Sequence, residues 1–398
     1  MRVILIHQHD PDLHYVGGIG TFIKTFIKYA PPDFEVSLVG ISADPTRRPV
    51  GRWQRLTVEG RPCDFLPILA ARSTPRGRIP LSLRFTWALA RFRHLIDVRD
   101  AILELHRIEP GLALRNLNNP KVLFLHAHPQ DLRNPKTEVT WGKVPGFYFW
   151  LERTLIHAME RIYIVREDAV PFYRARYPHL SERFGFLPTW VDETVFFPMA
   201  EADRLHTRTQ LAHDVGVDPR SRLLLFAGRF EGQKDPRLLL EAFRRLNGTG
   251  GQTVLILIGT GRLETSMRAL IQQQGLSPVV RILPPQPQAQ LARWMNVADC
   301  LVLSSAFEGM PRVVVEALGC GLPVVSTDVG EARRLVQNSV TGRLVGERTP
   351  EAFAAGIAEV LRQPPDREAC RRQIAPFTAR KVLAPVYEAY RELDGALR

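Results

Sequence analysis

Short apolar runs alternate with helix-like stretches in the second half of the chain, and this alternation constrains the fold more than any other feature. The runs predict strands at LLLFAG (223–228), TVLILIG (253–259), VVRIL (279–283), CLVLS (300–304) and PVVST (323–327). Amphipathic helical patterns fill 236–246, 262–274, 287–297, 311–319 and 351–362. Because strands that alternate with helices form parallel sheets wrapped by crossovers, the sequence predicts a doubly wound α/β domain.

The first half shows the same alternation less regularly. Strands are predicted at VILI (3–6), EVSLVG (35–40), KVLFLH (121–126) and RIYIV (161–165). Helices are predicted from the glycine-rich YVGGIG to about Tyr29, over 81–107 and over 146–158, with an irregular Pro/Arg-rich region up to Pro80. We therefore expect a second parallel-sheet domain.

The length of 398 residues is typical of two or three domains. Turn residues and prolines in LPTWVDETVFFP (187–198) predict the linker. We expect an N-terminal domain over 1–190 and a C-terminal domain over 191–377, with a final helix (about 378–398) packing back on the first. Two such domains would face a ligand cleft at the carboxyl ends of their strands.

Composition excludes several classes of protein. Hydrophobic residues make up 45% and charged residues 24%, which argues against disorder. The four cysteines form no C-x-x-C pair, which excludes a zinc ribbon and is typical of a reducing cytosol. No apolar run is long enough for a signal peptide or a spanning helix. We expect a cytoplasmic protein that can lie on the inner face of the cell membrane.

The charge balance is basic, with 53 Lys and Arg against 41 Asp and Glu and a net charge of +12. Arginines cluster between Arg72 and Arg99, interleaved with aromatic and aliphatic residues. Such a segment suits an anionic membrane surface or an anionic substrate. The alternative is a solvated face of an arginine-rich protein. Nucleic acid is disfavoured as a partner, since no recognised binding motif accompanies the charge.

The segment SSAFEGMPRVVVEALGCGLPVVSTDVGE (304–331) carries the densest set of candidate residues. Gly309, Met310 and Pro311 lie where a helix begins, and the amides of a helix N-terminus favour a phosphate. Glu308 and Glu316 flank those amides and could hold hydroxyls on either side of a diphosphate. Either glutamate taken alone is more simply interpreted as a surface carboxylate.

Arg229 and Lys234 follow the predicted strand 223–228 in GRFEGQK. Arginine engages phosphate oxygens bidentately and lysine acts as a point charge. Alone, an Arg-x4-Lys pair is most often an accident of the surface, but its place at a strand end favours a diphosphate site. Gly17 and Gly18, after the first strand, let the backbone approach a phosphate or sugar closely. Neither G-x-G-x-x-G nor a P-loop motif is present.

Two histidines, His126 and His128, end the predicted strand KVLFLH and lie on one side if the strand continues. They are either a satisfied or exposed pair or part of a site. A metal is not indicated, because their spacing with Asp131 matches no familiar ligand cluster. His106, at the end of AILELH, is a weaker candidate.

Six motifs in order resemble those of the retaining glycosyltransferases of family 4, whose E-x7-E motif is matched by Glu308 and Glu316. The others are YVGGIGTF, LPTWVDETVFFP, GRFEGQKDPRLLLEAF, GTGRLE and VTGRLV. The resemblance covers nearly the whole chain and is strongest from about Leu223 to Gly342. It implies the GT-B arrangement, in which two Rossmann-like domains face a cleft.

The resemblance also implies an activity: transfer of a sugar from a UDP- or GDP-sugar to a carbohydrate or lipid-linked acceptor, with retention, in surface polysaccharide or glycolipid synthesis. Arg229 and Lys234 would hold the diphosphate, Glu316 the ribose and Glu308 the sugar hydroxyls. A histidine would support the charge developing at the sugar ring; the motif falls on His126, with His128 second. No metal or other cofactor is implied.

Departures from the family pattern affect the surroundings of the site. Thr189-Trp190 stand where the family has Asn-Gly, and ILPPQPQAQL (282–291) replaces a glycine-bearing loop. Two rival functions remain open on sequence grounds. One is an enzyme of the same fold, either a nucleotide-sugar epimerase or a phosphorylase; the other is a nucleotide-sugar-binding protein without catalysis.

Overall fold

The computed structural model describes residues 1–12, 18–71, 79–126, 145–248 and 252–397, and they divide into two compact units. The first unit contains the described residues up to Pro188 together with those from Arg380 onward. The second unit is Thr189–Ala379. The division thus falls after Pro188, compared with residue 190 in the sequence-based expectation.

The first unit contains an eight-stranded sheet among its described residues. Its strands are β1 (Arg2–Ile6), β2 (Glu35–Ser42), β3 (Gln54–Val58), β4 (Arg61–Ala70), β5 (Ala101–Leu105), β6 (Lys121–Leu125), β7 (Arg161–Ile164) and β8 (Phe184–Phe186). They are ordered β3-β4-β2-β1-β5-β6-β7-β8, and every pair is parallel except β3 with β4. Strand order reverses between β1 and β5, so a ligand site is expected at the carboxyl ends of these strands.

Helices pack on this sheet. They are α1 (Gly18–Tyr29), α2 (Leu81–Phe92), α3 (Gly111–Leu114), α4 (Pro145–Leu155) and α5 (Ala169–Arg176). Short 3-10 turns cover Arg93–Leu95, Ile156–Ala158 and Pro178–Arg183. The buried core of the unit is mostly aliphatic, from residues such as Ile4, Leu103 and Leu123.

Two predictions for the first unit were wrong. The region expected to be irregular contains the β3–β4 hairpin, whose turn residues Glu59 and Gly60 have φ of +50° and +80°. Two positive φ values in a two-residue turn match the twist of antiparallel strands. The helix expected over 81–107 ends at Phe92, and β5 follows, because Ala101–Leu105 is completely buried in the sheet.

The second unit contains a six-stranded, fully parallel sheet in the order β11-β10-β9-β12-β13-β14 among its described residues. Its strands are β9 (Arg222–Ala227), β10 (Thr253–Ile258), β11 (Val280–Leu283), β12 (Cys300–Leu303), β13 (Val324–Thr327) and β14 (Gly342–Val345). Strand order reverses between β9 and β12. The five strands predicted here are present, and β14, part of the VTGRLV motif, was not predicted as a strand.

Helices lie along both faces of this sheet, over two apolar clusters. They are α6 (Glu201–Asp214), α7 (Pro236–Asn247), α8 (Glu264–Gln273), α9 (Gln288–Val297), α10 (Arg312–Gly319), α11 (Ala332–Leu335), α12 (Pro350–Arg362) and α13 (Arg367–Gln373). A 3-10 turn covers Gly232–Lys234, and another covers Ala375–Phe377. Helix α6, which is mostly polar, was not predicted.

The last helix, α14 (Ala379–Leu397), belongs to the first unit from Arg380 onward. Its Tyr387 hydroxyl donates to the carbonyl of Phe26 at 2.8 Å, and its Tyr390 hydroxyl donates to Glu104 Oε2 at 2.5 Å. Both tyrosines are buried. The chain therefore returns to its first unit after completing the second.

Candidate active site

The point where strand order reverses in the second unit brings Lys234 and Glu308 together. Lys234 lies in the loop after β9 and Glu308 in the loop after β12. Lys234 Nζ lies 2.5 Å from Glu308 Oε1, and the Ser305 hydroxyl donates to the same oxygen at 2.6 Å. The Lys234 side chain is 14% exposed and that of Glu308 is 9% exposed. A largely desolvated cation is thus held by a carboxylate at the position where a doubly wound sheet binds ligands.

Arg229, in the same loop as Lys234, is exposed and turned toward Gln233. Its Nη2 lies 3.4 Å from Gln233 Oε1. Gln233 Nε2 donates to the carbonyl of Phe307 at 3.1 Å, and the Gln233 carbonyl accepts from the amide of Ala306 at 2.7 Å. Gln233 therefore ties the loop of Arg229 and Lys234 to the loop of Glu308. Sequence reasoning did not single out Gln233.

Asp235, the residue that follows Lys234, anchors this loop to α7 and to Arg348. It has a left-handed backbone, φ +45°, and its side chain caps α7 through the amide of Leu238. Arg348 Nη2 donates to Asp235 Oδ2 at 2.7 Å, and the Ser304 hydroxyl donates to the carbonyl of Lys234 at 2.9 Å. These bonds order the backbone that carries Lys234. Asp235 and Arg348 were not predicted as site residues.

Glu316 lies within α10 and is 6% exposed. Burial raises the pKa of its carboxyl to about 7, although Arg312 and Lys234 favour the ionised form. Arg312, one helical turn earlier, donates to the carbonyl of Trp190 at 3.1 Å, and its guanidinium lies 5.5 Å from the centre of the Trp190 ring. In the absence of a ligand, the carboxyl of Glu316 therefore titrates near pH 7.

Thr189 and Trp190, which stand where the resembled family has Asn-Gly, lie against the segment that carries Glu308 and Glu316. The Thr189 amide lies 3.1 Å from the sulfur of Met310, and its hydroxyl donates to the carbonyl of Met310 at 3.2 Å. Trp190 is completely buried. Pro311 precedes α10, and the carbonyl of Gly309 accepts from the amide of Glu331 at 2.9 Å. The start of α10 is therefore held from two sides.

In the first unit, His126 directly follows β6 and is partly exposed. Its Nε2 lies 3.0 Å from Nδ1 of His106, and His106 Nε2 lies 2.9 Å from Glu104 Oε1. The weaker histidine candidate is thus a buried neighbour of the stronger one. Glu104 was not predicted, because a lone glutamate in an apolar strand gives no signal for what it contacts.

The remaining sequence candidates in the first unit are only partly described. Gly17 and His128 lie outside the described residues. Gly18 is the first residue of α1. Gly20 approaches the ring of His9 closely, since a Cβ atom there would lie 2.7 Å from Cε1 of that ring. The described part of the glycine loop therefore allows α1 to begin against the end of β1.

Among the described residues, no group of three or more His, Cys, Asp and Glu side chains is arranged to hold a metal ion. No helix in the described ranges is both long and apolar enough to cross a membrane.

Residues 208–375 match the sequence profile of the family described as "Glycosyl transferases group 1". A D-inositol 3-phosphate glycosyltransferase from Catenulispora acidiphila is 27% identical over 359 residues, which cover 87% of this chain and 83% of that protein. One from Frankia alni is 34% identical over 195 residues, 47% of this chain and 48% of that protein. The chain therefore spans about half the length of several relatives that it matches.

Solved structures resemble the chain over nearly its whole length. Sucrose-phosphate synthase from Thermosynechococcus elongatus has a TM-score of 0.80 at 18% identity, covering 99% of each chain. HepE from Anabaena, in complex with UDP-glucose, has a TM-score of 0.73 at 17% identity, covering 98% of this chain and 99% of that one. The chain therefore has a GT-B fold, and residues 208–375 within it match the profile of the group 1 glycosyl transferases.

Proposed function

We propose that the protein is a retaining glycosyltransferase that moves a hexosyl group from a nucleotide diphosphate sugar to a carbohydrate or lipid-linked acceptor. The observation that carries the proposal is the pair of Lys234 and Glu308 at the carboxyl ends of β9 and β12. A cation and a carboxylate at this position match the two chemical needs of the donor, a charged diphosphate and a hydroxyl-rich sugar. The names of the relatives and the UDP-glucose complex of HepE agree with such a donor.

In the proposed reaction, Lys234 exchanges its carboxylate partner for the diphosphate. A leaving nucleotide diphosphate gains negative charge as the glycosidic bond breaks, so fixed cations stabilise the transition state more than the ground state. Arg229 is exposed and sits four positions from Gln233, ready to add a second cation. Glu308, released from Lys234, then accepts hydrogen bonds from sugar hydroxyls.

The other site residues have proposed roles that follow the resemblance. Glu316 accepts from ribose hydroxyls, which favours its ionised form when nucleotide binds. The backbone of 309–311, at the start of α10, lies near the phosphates, and Gly18 starts the helix after the glycine loop. His126 contacts the donor sugar. The acceptor hydroxyl attacks from the face of the leaving group and passes its proton to a phosphate oxygen, with no metal required.

The first test is thermal stabilisation by a panel of UDP-, GDP-, ADP- and TDP-sugars. A ligand that binds the native state raises stability by about 2.7 kcal/mol at one hundred times Kd. One nucleotide series is expected to raise the melting temperature, and Lys234→Ala is expected to abolish that rise. The matched control is Arg237→Ala, which removes an exposed cation on α7 paired with Glu241. No rise with any nucleotide would contradict the proposed donor class.

A second test separates transfer from its rivals. With the donor identified above, an epimerase would convert the donor sugar to a different sugar in the absence of acceptor. A binding protein would leave the donor unchanged both with and without acceptor. The proposal requires a new glycoside when acceptor is added, with the anomeric configuration of the donor. EDTA should leave the rate unchanged, and a loss of activity restored by a divalent cation would refute the metal-free reaction.

We also propose that the first unit, which would receive the acceptor, binds an anionic membrane surface with the outer face of α2. Trp87 is 73% exposed on this helix, and Arg84 and Arg91 lie three positions before it and four after it, on the same helical face. An exposed tryptophan flanked by arginines is the pattern of a helix that lies in the headgroup region.

Cosedimentation with phosphatidylglycerol vesicles tests this surface. Binding should be lost with Trp87→Ala and weakened by salt, because charge contributes to it. Phe197→Ala removes an exposed aromatic ring of the second unit and should leave binding intact. Equal binding by wild type and Trp87→Ala, or none by wild type, would refute the membrane proposal while leaving the donor proposal untouched.

A further inference from the structure

A chain of hydrogen bonds runs through the interior of the first unit and ends at His126. The Tyr390 hydroxyl donates to Glu104 Oε2 at 2.5 Å, and Glu104 Oε1 lies 2.9 Å from His106 Nε2. His106 Nδ1 lies 3.0 Å from His126 Nε2. Tyr390 and Glu104 are completely buried and His106 is 2% exposed, whereas His126 is partly exposed. The chain therefore connects the core to the end of β6.

Aromatic rings hold the two imidazoles in this orientation. The ring of Phe22, on α1, stands edge-on to His106 at 4.8 Å and to His126 at 5.5 Å between centroids. The ring of Phe124, on β6, stacks on His106 at 5.1 Å. Such packing restricts ring rotation, so the ring atoms that face each other are set by the fold.

Two arrangements of protons satisfy every bond in the chain. In the anionic arrangement, Glu104 is ionised, His106 donates to it from Nε2, and His126 donates from Nε2 to His106. In the neutral arrangement, Glu104 Oε1 carries a proton and donates to His106 Nε2, and His106 Nδ1 donates to His126 Nε2. The neutral arrangement makes both histidines Nδ1–H tautomers, while the anionic one makes both Nε2–H tautomers.

Burial favours the neutral arrangement, because the anionic one places a net charge in the core. Desolvation raises the pKa of Glu104 to about 8, even though the hydrogen bond from Tyr390 lowers it. Desolvation also lowers the pKa of His106 to about 3, which disfavours an imidazolium there. Near pH 7 the chain therefore holds its carboxyl protonated and its imidazoles neutral.

We propose that Glu104, His106 and Tyr390 are positioning residues that fix His126 as a neutral imidazole with its proton on Nδ1. This inference rests on the proposed function and deepens it. A proton on Nδ1 makes that nitrogen a hydrogen-bond donor, which is the group that an oxygen atom of the donor sugar would require. A neutral imidazole also adds no positive charge to oppose the positive charge that develops on the sugar ring.

Other titratable groups around the hydrogen-bond chain lie on or directly after four elements. Among the described residues they are His7 and His9 after β1, Arg107 after β5, Tyr163 on β7, and Tyr387 on α14. Burial lowers the pKa values of His7 and His9 and raises those of Tyr163 and Tyr387, so these four stay neutral near pH 7. Raising the pH through about 8 therefore changes the chain chiefly by ionising Glu104.

The decisive variant is Glu104→Gln. A glutamine amide donates to His106 Nε2 and its carbonyl accepts from Tyr390, as the protonated carboxyl does, but it never ionises. Nitrogen NMR of ¹⁵N-histidine protein reports which ring nitrogen carries the proton, and His126→Asn assigns the His126 signals. At pH 7, wild type and Glu104→Gln should both show His126 as the Nδ1–H tautomer. At about pH 9.5, wild type should shift toward the Nε2–H tautomer and Glu104→Gln should not.

Kinetics supply the functional readout. His106→Phe keeps an aromatic ring in place but breaks the chain, and it should lower kcat about tenfold or more with little change in donor Kd. Wild-type kcat should fall above about pH 8 as Glu104 ionises, and this fall should be absent in Glu104→Gln. Tyr390→Phe removes the bond that favours ionised Glu104, so it should move that fall to higher pH.

The NMR result does not depend on activity, so the two proposals can fail separately. An Nε2–H tautomer of His126 in wild type at pH 7 would overturn the proposed positioning of His126. A tautomer that differs between wild type and Glu104→Gln at that pH would also overturn it. Absence of donor binding would refute the proposed function and leave the tautomer result standing. Equal dependence of kcat on pH in wild type and Glu104→Gln would also overturn the proposed positioning of His126.

Discussion

At the scale of single residues, the two glutamates of the candidate site have different environments. Glu308 is paired with Lys234 and Ser305, whereas Glu316 is buried and its pKa is raised to about 7. In the proposed reaction, the diphosphate replaces Glu308 as the partner of Lys234. Hydrogen bonds from a bound ligand would favour the ionised form of Glu316. The two glutamates differ because of what surrounds each in the fold, which their spacing in the sequence does not specify.

Glu316 makes the stability of the second unit dependent on pH. Its pKa is raised from 4.5 to about 7 in the folded state, so between these values the folded state binds the extra proton. The free energy of unfolding therefore falls as pH rises through this window, by about 3 kcal/mol at 1.36 kcal/mol per pKa unit. Glu316→Gln should remove this fall, and urea unfolding at pH 4.5 and pH 8 measures it.

The expected result is a variant more stable than wild type at pH 8 and nearly equal to it at pH 4.5. Nucleotide-sugar binding should weaken in the same variant, because a carboxylate acceptor for ribose hydroxyls is lost. Glu347→Gln, at an exposed position, is the matched control. A Glu316→Gln protein that is less stable than wild type at pH 8 would contradict the assigned charge state.

At the scale of elements, the loop from β13 to α11 supports the loop that carries Glu308. Gly330 has φ +50°, and a Cβ atom there would lie 2.1 Å from the carbonyl oxygen of Gly309 and 2.3 Å from that of Glu308. The Glu331 amide donates to the same Gly309 carbonyl at 2.9 Å. The two loops therefore touch through backbone atoms, and no side chain separates them.

Gly330→Ala should displace the Glu308 loop, because the added methyl group overlaps two carbonyl oxygens and the backbone conformation disfavours a side chain. We expect a stability loss of at least about 1–3 kcal/mol and a lower affinity for the nucleotide sugar. Thermal unfolding with and without donor measures both. Gly346→Ala, where a Cβ atom would meet open space, should change neither. Unchanged donor affinity in Gly330→Ala would disprove the support.

At the scale of the whole molecule, the end of the chain completes the unit built by its beginning. Helix α14 buries Leu383, Val386 and Tyr387, and Arg391 Nη2 lies 2.9 Å from Asp33 Oδ1. Burying one such apolar side chain contributes about 1.5–3 kcal/mol. The stability of the first unit therefore depends on residues encoded after the whole second unit.

Removing residues 380–398 should destabilise the first unit, because it exposes the surface under α14 and takes the Tyr390 donor from Glu104. Hydrogen exchange should then show loss of protection in β1 and β5 while β9 and β12 stay protected. Removing only residues 395–398, which begin at an exposed glycine, is the control. Protection of β1 and β5 equal to that of wild type would refute the dependence.

Local pattern was sufficient for most of the second unit. The runs at 223–228, 253–259 and 300–304 are continuous and apolar because both faces of a parallel sheet are covered, so they can be recognised without tertiary context. The same pattern failed for AILEL, which was absorbed into a helix. It also failed for β3 and β4, whose turn Glu59-Gly60 is a weak hairpin signal beside Asn-Gly or Asp-Gly.

The candidate site divides in a similar way. The sequence was enough to nominate Lys234, Glu308 and Glu316. Lys234 and Glu308 follow strong strand signals, Glu316 lies within a predicted helix, and all three fall on motifs of the family that the sequence resembles. That Lys234 and Glu308 meet, and that Glu316 is buried, depends on strand order in the sheet. Gln233, Arg348 and the chain from Tyr390 to His126 came only from folded contacts, because Glu104 and Tyr390 are 286 positions apart. A repeating apolar pattern specifies which face of an element is buried, whereas the partner across that face is chosen by packing of the whole chain.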